Sequence, residues 1–141
     1  MSIKIKLLST EAKLPSRAYP SDSGLDISSA EEVVIKAGDI QKVSTGISFS
    51  VPKGWEVQIR PRSGLMIRDK VIAMFGTIDC SYRGEVGVLL HNTTGNDFKV
   101  DIGDRIAQLV IAKIELWQPE LVEDLDSSNR GDKGLGSTGK N

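Results

Sequence analysis

Sulfur and imidazole are nearly missing from this chain, whose one cysteine is Cys80 and whose one histidine is His91. One cysteine excludes an intrachain disulfide and a thiolate zinc site. No spacing of serine or cysteine around His91 supports a triad, so His91 reads as a structural residue at a strand end. Excess charge of one sign is missing too. Lys and Arg number 18 against 19 for Asp and Glu. A net charge of -1 gives no general basic field for DNA or RNA, so no nucleic-acid partner is expected. An anionic ligand must then be met by a local cluster of donors. No apolar run approaches membrane-spanning length, and no membrane partner is expected. The opening Met1-Ser2-Ile3-Lys4-Ile5-Lys6 alternates instead of forming a signal core. A reducing, cytoplasmic setting is expected, or a nuclear one in a eukaryotic or viral context. Asn92-Thr93-Thr94 matches a glycosylation sequon, which reads as chance.

What is present is a short chain with alternating strands. A length of 141 residues argues for one domain. Ile3, Ile5 and Leu7 alternate, as do Val43, Thr45, Ile47, Phe49 and Val51. Pro52-Lys53-Gly54 then reads as a turn leading into Trp55, Val57 and Ile59, so 43–59 predicts a hairpin. Val86, Val88 and Leu90 form a further strand, Phe98, Val100 and Ile102 another, and 106–116 a buried one. Only 63–74 predicts a helix, and a short one. Many short strands between Gly, Pro, Asn and Asp indicate an all-β sandwich or barrel. Residues 127–141 contain four glycines and one sizeable apolar residue, Leu135, too little to bury a core. That segment reads as a flexible tail or as an arm that orders on an anionic ligand. The expected division is a β-barrel domain over 1–126 and an arm over 127–141.

Two familiar phosphate motifs fail. Gly134-Leu135-Gly136-Ser137-Thr138-Gly139 has the G-x-G-x-x-G form, but only Lys140 and Asn141 follow, too few for the required helix. The spacing of Gly131 and Gly136 then puts Ser137 where a Walker A loop needs lysine. Five other stretches fit together. They are Tyr19-Pro20-Ser21-Asp22-Ser23-Gly24-Leu25-Asp26-Ile27, Pro61-Arg62-Ser63-Gly64-Leu65, and Gly76-Thr77-Ile78-Asp79-Cys80-Ser81-Tyr82-Arg83-Gly84-Glu85. Gly103-Asp104-Arg105-Ile106-Ala107-Gln108-Leu109 follows, then Arg130-Gly131-Asp132-Lys133-Gly134-Leu135-Gly136-Ser137-Thr138-Gly139. Each alone is an ordinary turn or loop. In this order, over nearly the whole chain, they resemble the five motifs of the trimeric dUTP pyrophosphatases (dUTPases).

The resemblance implies a jelly-roll-like β-barrel subunit, a homotrimer with active sites between subunits, and an arm that closes over a site. It implies dUTP as substrate and Mg²⁺ as cofactor, the ion keeping several waters. Asp79 would be the general base that activates water against the α-phosphorus. Arg62, Ser63 and Gly64 resemble the phosphate-binding loop, offering a donor fork, a hydroxyl and close backbone approach. Gln108 resembles a phosphate-contacting glutamine; by its residues alone it serves equally to satisfy a buried backbone group. Asp26 resembles the aspartate that reaches magnesium through water, although Asp22 competes and spacing does not decide. Gly76 and Gly87 bound the segment that would read uracil through main-chain groups. Tyr82 resembles the tyrosine under deoxyribose. Arg130, Leu135, Gly136, Ser137 and Thr138 resemble the arm's contacts.

Three departures stand out. Leu135 occupies the place of a usual aromatic, Ser81 that of a frequent aspartate, and Met74-Phe75 is bulkier than the residues that ordinarily precede the motif glycine. Two alternatives stay open at this point: a dCTP deaminase-like enzyme, and a non-catalytic regulator on the same scaffold.

Overall fold

The computed structural model of the chain describes residues 2–132 and 134. In chain order the elements are β1 (Lys4–Leu7), β2 (Leu25–Ser28), β3 (Val33–Ile35), β4 (Ile40–Ser44), β5 (Ile47–Ser50), β6 (Trp55–Arg60), α1 (Ser63–Asp69), β7 (Val71–Ala73), β8 (Gly76–Ile78), β9 (Gly87–Asn92), β10 (Phe98–Val100) and β11 (Arg105–Lys113). The strands pair in the orders β2-β11-β6-β8, β4-β9-β7, β1-β5 and β10-β3. All these ladders are antiparallel. The fold is therefore all-β with one short helix, as the alternation predicts.

One apolar cluster draws on all four sheets, joining Ile27, Val57, Ile59 and Leu109 to Val43, Val71, Val88, Leu90, Ile47, Phe49, Ile35 and Val100. Alternation locks the register. In β9, Val88 and Leu90 are fully buried while Leu89 between them is 47% exposed. A slip by one residue would exchange these faces. It would forfeit about 1.5–3 kcal/mol for each large side chain brought into water.

Four expectations need correction. The run 43–51 is not one strand. It breaks at Thr45-Gly46, where Gly46 adopts a φ of +63°, and β4 then pairs with β9 while β5 pairs with β1. That φ is left-handed and favours glycine. The turn at Pro52 does form, with Trp55 N–H donating to Pro52 O at 3.2 Å. It does not make a hairpin, because β6 pairs with β11 and β8 instead. The helix stops well before residue 74: Lys70 is left-handed with a φ of 56°, and β7 begins at Val71. Thr93 fixes that stop by donating its N–H at 3.2 Å and its hydroxyl at 2.6 Å to Lys70 O. The last strand ends at Lys113, short of 116. Asn92 of the sequon is fully buried and donates its amide to Ile35 O, Lys36 O and Asn96 O. It organises a turn and offers no surface for a glycan.

Candidate active site

The first-motif aspartate and the second-motif loop meet through the register of the four-stranded sheet. Gln108 on β11 faces Asp26 on β2 and Arg60 on β6. Two residues beyond Arg60, Arg62 turns back across this row. Its Nε donates to Asp26 Oδ1 at 2.9 Å and its Nη2 to Asp26 Oδ2 at 3.3 Å. Its Nη1 donates to Arg105 O at 3.0 Å. Arg105 Nη1 adds a contact to Asp26 Oδ2 at 3.1 Å. The pairing of β11 with β2 shifts between Arg105 and Ala107, the kind of bulge that re-aims a side chain. Asp26 thus sits between two guanidiniums with its side chain only 15% exposed.

Arg62 has five N–H donors, of which these contacts use three. Two are not used by these contacts. Ser63 and Gly64 open α1, whose first hydrogen bond runs from Met66 N–H to Arg62 O at 3.1 Å. Their own N–H groups precede that bond and have no partner within the helix. Gln108 Nε2 donates to Pro61 O at 2.9 Å, tying β11 to the same loop. The side chain therefore does satisfy a backbone group. Arg62, Ser63, Gly64, Gln108, Asp26, Asp22, Ser23 and Gly24 line one polar cleft, concentrated in donors and suited to an anion.

Asp79 lies elsewhere. It follows β8 and lines a second cleft with Met74, Phe75, Gly76, Tyr82, Gly87 and Leu89. This cleft is apolar where the first is polar. The segment 76–87 is not a hairpin: β8 pairs with β6 in one sheet and β9 with β4 and β7 in another. The loop between them bridges two sheets. A turn from Tyr82 N–H to Asp79 O at 3.1 Å closes its first half. Tyr82 then lies against Gly84, where an added Cβ would come within 2.3 Å of the phenol oxygen. Only glycine admits that approach. The Tyr82 hydroxyl donates to Glu85 O at 3.0 Å. Glu85 in turn accepts from the Ser44 hydroxyl and, at 2.9 Å, from Gly46 N–H. These bonds hold its carboxyl below the ordinary 4.5, the Ser44 hydroxyl first and Gly46 N–H second. Among the described residues nothing hydrogen-bonds or pairs with the Asp79 carboxylate, which is exposed.

Within one chain, then, the predicted residues form two groups that share no lining residue. Asp26, Arg62, Ser63, Gly64 and Gln108 come together; Asp79, Gly76, Tyr82 and Gly87 come together; the two groups do not meet. Arg130 lines neither cleft and donates to Gly134 O at 3.3 Å. Leu135, Gly136, Ser137 and Thr138 lie outside the described residues. Arg105 and Glu85 are participants that motif reading passed over. Arg105 is 79 positions from Asp26, so only the sheet register reveals the pair. Glu85 acts through a glycine bend 39 positions away.

No three His, Cys, Asp or Glu side chains gather as a metal cage among the described residues. Mg²⁺ does not need one: it keeps several waters and binds through one or two carboxylates plus substrate phosphates. Asp26 and Asp22, beside the anion-suited donors, fit that mode. Asp22 Oδ2 also accepts from Tyr19 N–H at 2.9 Å.

Known proteins identify the family. The dUTPase family model matches residues 10–139. The deoxyuridine 5'-triphosphate nucleotidohydrolase of Clostridium tetani is 45% identical over 141 residues, covering 99% of this chain and 97% of that protein. The enzyme of the same name from Solanum lycopersicum is 47% identical over 136 residues, covering 96% of this chain and 80% of that protein. Among solved structures, the dUTPase of Staphylococcus bacteriophage 80alpha with dUPNHPP superposes with a TM-score of 0.93 at 31% identity, covering 98% of both chains. A mutant dUTPase from phage phi11 of S. aureus, described as coordinating a structural Mg(II) ion, superposes at 0.83 with 27% identity, covering 88% of this chain and 98% of that one. With five motifs in order, an all-β fold and near full-length similarity, this chain belongs to the dUTPase family.

Proposed function

We propose that this chain hydrolyses dUTP to dUMP and pyrophosphate in sites completed between three copies of itself. The observation that carries the reading is the division of the motif residues into a polar, donor-rich cleft and an apolar cleft with a free carboxylate at its rim. A triphosphate ester needs both kinds of surface. Its oxygens repel a nucleophile until donors neutralise them, and its base and sugar need apolar walls.

The polar cleft takes the phosphates. Arg62 contributes its two remaining N–H donors, Ser63 and Gly64 contribute free N–H groups, and Gln108 holds the loop in place. Asp26 fixes the Arg62 guanidinium in one orientation, so its donors are aimed before the substrate arrives. Asp26 and Asp22 would hold Mg²⁺ through water. When bound, the ion neutralises charge on the phosphate oxygens.

The apolar cleft takes the nucleoside. Gly76 and Gly87 leave room for main-chain groups to read uracil, and Tyr82 supports deoxyribose. Asp79 accepts a proton from the water that attacks the α-phosphorus. A bond forms from water oxygen to that phosphorus, and the bond to the bridging oxygen of the departing pyrophosphate breaks. An unengaged carboxylate suits this role because its lone pairs are available. Arg130, Leu135, Gly136, Ser137 and Thr138, in an arm over 127–141 beyond the domain of 1–126, close over the outer phosphates and base.

A second copy brings an Asp79 cleft to an Arg62 cleft. Supporting this, the stretch 114–126 carries no strand or helix. It leaves Leu116, Trp117, Leu121, Val122 and Leu125 exposed, with Trp117 at 87% and Leu121 at 100%. Such a run of apolar side chains calls for a partner surface, and a homotrimer supplies one. One cysteine in the chain suits work in a reducing cytoplasm.

The test is pyrophosphate and ammonia release from dUTP, dCTP, dTTP and UTP with Mg²⁺, beside a solution mass. The reading expects pyrophosphate from dUTP above all others and a mass three times that of the chain. Ammonia from dCTP would mark a deaminase, and no turnover of any nucleotide would mark a non-catalytic regulator.

A further inference from the structure

Phe75 is an aromatic side chain left 63% exposed in a chain whose buried hydrophobic residues are aliphatic apart from Phe49. Its backbone is not loose. The preceding residue is fixed to one sheet, with Met74 N–H donating to Leu89 O at 2.7 Å. The following residue is fixed to another, with Gly76 facing Ile59 in the β8–β6 ladder. Phe75 therefore occupies a two-residue bridge clamped at both ends, and it lines the mouth of the apolar cleft of about 300 Å³ that also holds Asp79 and Tyr82. Tyr82 is committed elsewhere by its bond to Glu85 O and its contact with Gly84. Among the described residues Phe75 has no such commitment. A large ring held in water at a cleft is unfavourable unless a ligand covers it.

We propose that Phe75 is a substrate-binding residue whose ring forms an apolar wall against the pyrimidine of the substrate, with Met74 beside it. The inference rests on the dUTP reading above and deepens it. Tyr82 and Phe75 divide the nucleoside between them, Tyr82 taking the sugar and Phe75 the base. An aromatic face suits any pyrimidine ring, so the wall contributes affinity. Choice among bases is left to the main chain around Gly76 and Gly87. Because the contact exists in ground and transition states alike, its loss belongs in KM more than in kcat. Removing an aromatic that stacks on a base costs about fivefold to 150-fold in binding, and a partly exposed, one-sided wall belongs near the lower end.

The experiment compares wild type, Phe75→Ala and Phe75→Leu. It measures steady-state kinetics with dUTP, inhibition by a non-hydrolysable α,β-imido dUTP analogue and by inorganic tripolyphosphate, and solution mass. Phe75→Ala should raise the KM for dUTP and the Ki of the analogue about tenfold, with kcat falling by less than threefold. Phe75→Leu, which keeps apolar cover without a π-face, should fall between. Tripolyphosphate has no base, so its Ki should not move. Three results overturn the proposal: a KM within twofold of wild type, parallel weakening of tripolyphosphate, or loss of the assembly on substitution, which would make Phe75 an interface residue. If wild type releases no pyrophosphate from dUTP, the hydrolase reading itself fails and the wall falls with it, a result distinct from the other three.

Discussion

Asp26 and Asp79 bear the same carboxylate in opposite surroundings. Asp26 is held by Arg62 and Arg105 and is mostly covered. Asp79 stands exposed at the rim of an apolar cleft, with no hydrogen bond or ion pair to its carboxylate among the described residues. The difference separates two kinds of work. A carboxylate with three of its four acceptor sites taken by guanidinium N–H groups is chiefly a scaffold, with room left only for a contact such as one through water. A carboxylate kept free has stabilised nothing in the resting protein and is available to take a proton. The clefts around them repeat the contrast, one gathering guanidinium and N–H donors, the other aromatic and aliphatic walls.

Substitutions should break the two regions differently. Asp79→Asn should lower kcat on the order of a hundredfold to ten-thousandfold, because the amide cannot accept the proton. It should leave the melting temperature and analogue binding nearly unchanged. Turnover within threefold of wild type would remove Asp79 from the chemistry. Asp26→Asn should act on both fold and turnover. It leaves two guanidiniums facing a neutral amide, and charge-assisted hydrogen bonds are worth about 1.5–3 kcal/mol. Chemical denaturation should show a loss of that size, with a raised KM; a variant as stable as wild type would show that the two arginines do not depend on Asp26.

Within the apolar cleft, Tyr82→Ala should relax sugar discrimination, raising the UTP-to-dUTP ratio of kcat/KM by roughly tenfold. An unmoved ratio would leave Tyr82 a packing residue. Glu85→Gln should have the smallest effect, and one that depends on pH. The folded carboxyl of Glu85 titrates below its ordinary 4.5. Its contribution to stability is thus whole at neutral pH and is lost as pH falls through the folded value. Wild type and Glu85→Gln should differ in melting temperature near pH 7 and converge in acid. A difference that stays constant or grows as pH is lowered from 7 to well below the ordinary 4.5 would contradict the clamp on Gly46.

The sequence carried unequal amounts of this. Alternation exposed β9 and β10 because a half-buried strand writes its burial into neighbouring residues. It did not expose the break at Gly46, because Val43, Thr45, Ile47 and Phe49 keep their period through a bend that changes only the pairing partner. Pairing is non-local, so Pro52-Lys53-Gly54 announced a turn truly and a hairpin wrongly. Short strands such as β3 and β7 hold too few residues to show a period. The motifs identified Arg62, Gln108 and Asp79 but not their separation into two clefts, which depends on strand order. The apolar residues from Leu116 to Leu125 read as domain, and only their exposure marks them as wanting a partner.

Mixing two inactive variants tests most directly whether the clefts of different chains make one site. Asp79→Asn and Arg62→Ala are purified separately, each with little dUTP turnover, then denatured together in equal amounts and refolded. If each site draws its Arg62 cleft and its Asp79 cleft from different chains at random, about a quarter of the sites regain both intact halves. Activity should rise to about that share of refolded wild type. If refolded wild type is active and the mixture stays as inactive as its components, each site draws both groups from one chain and the account is wrong.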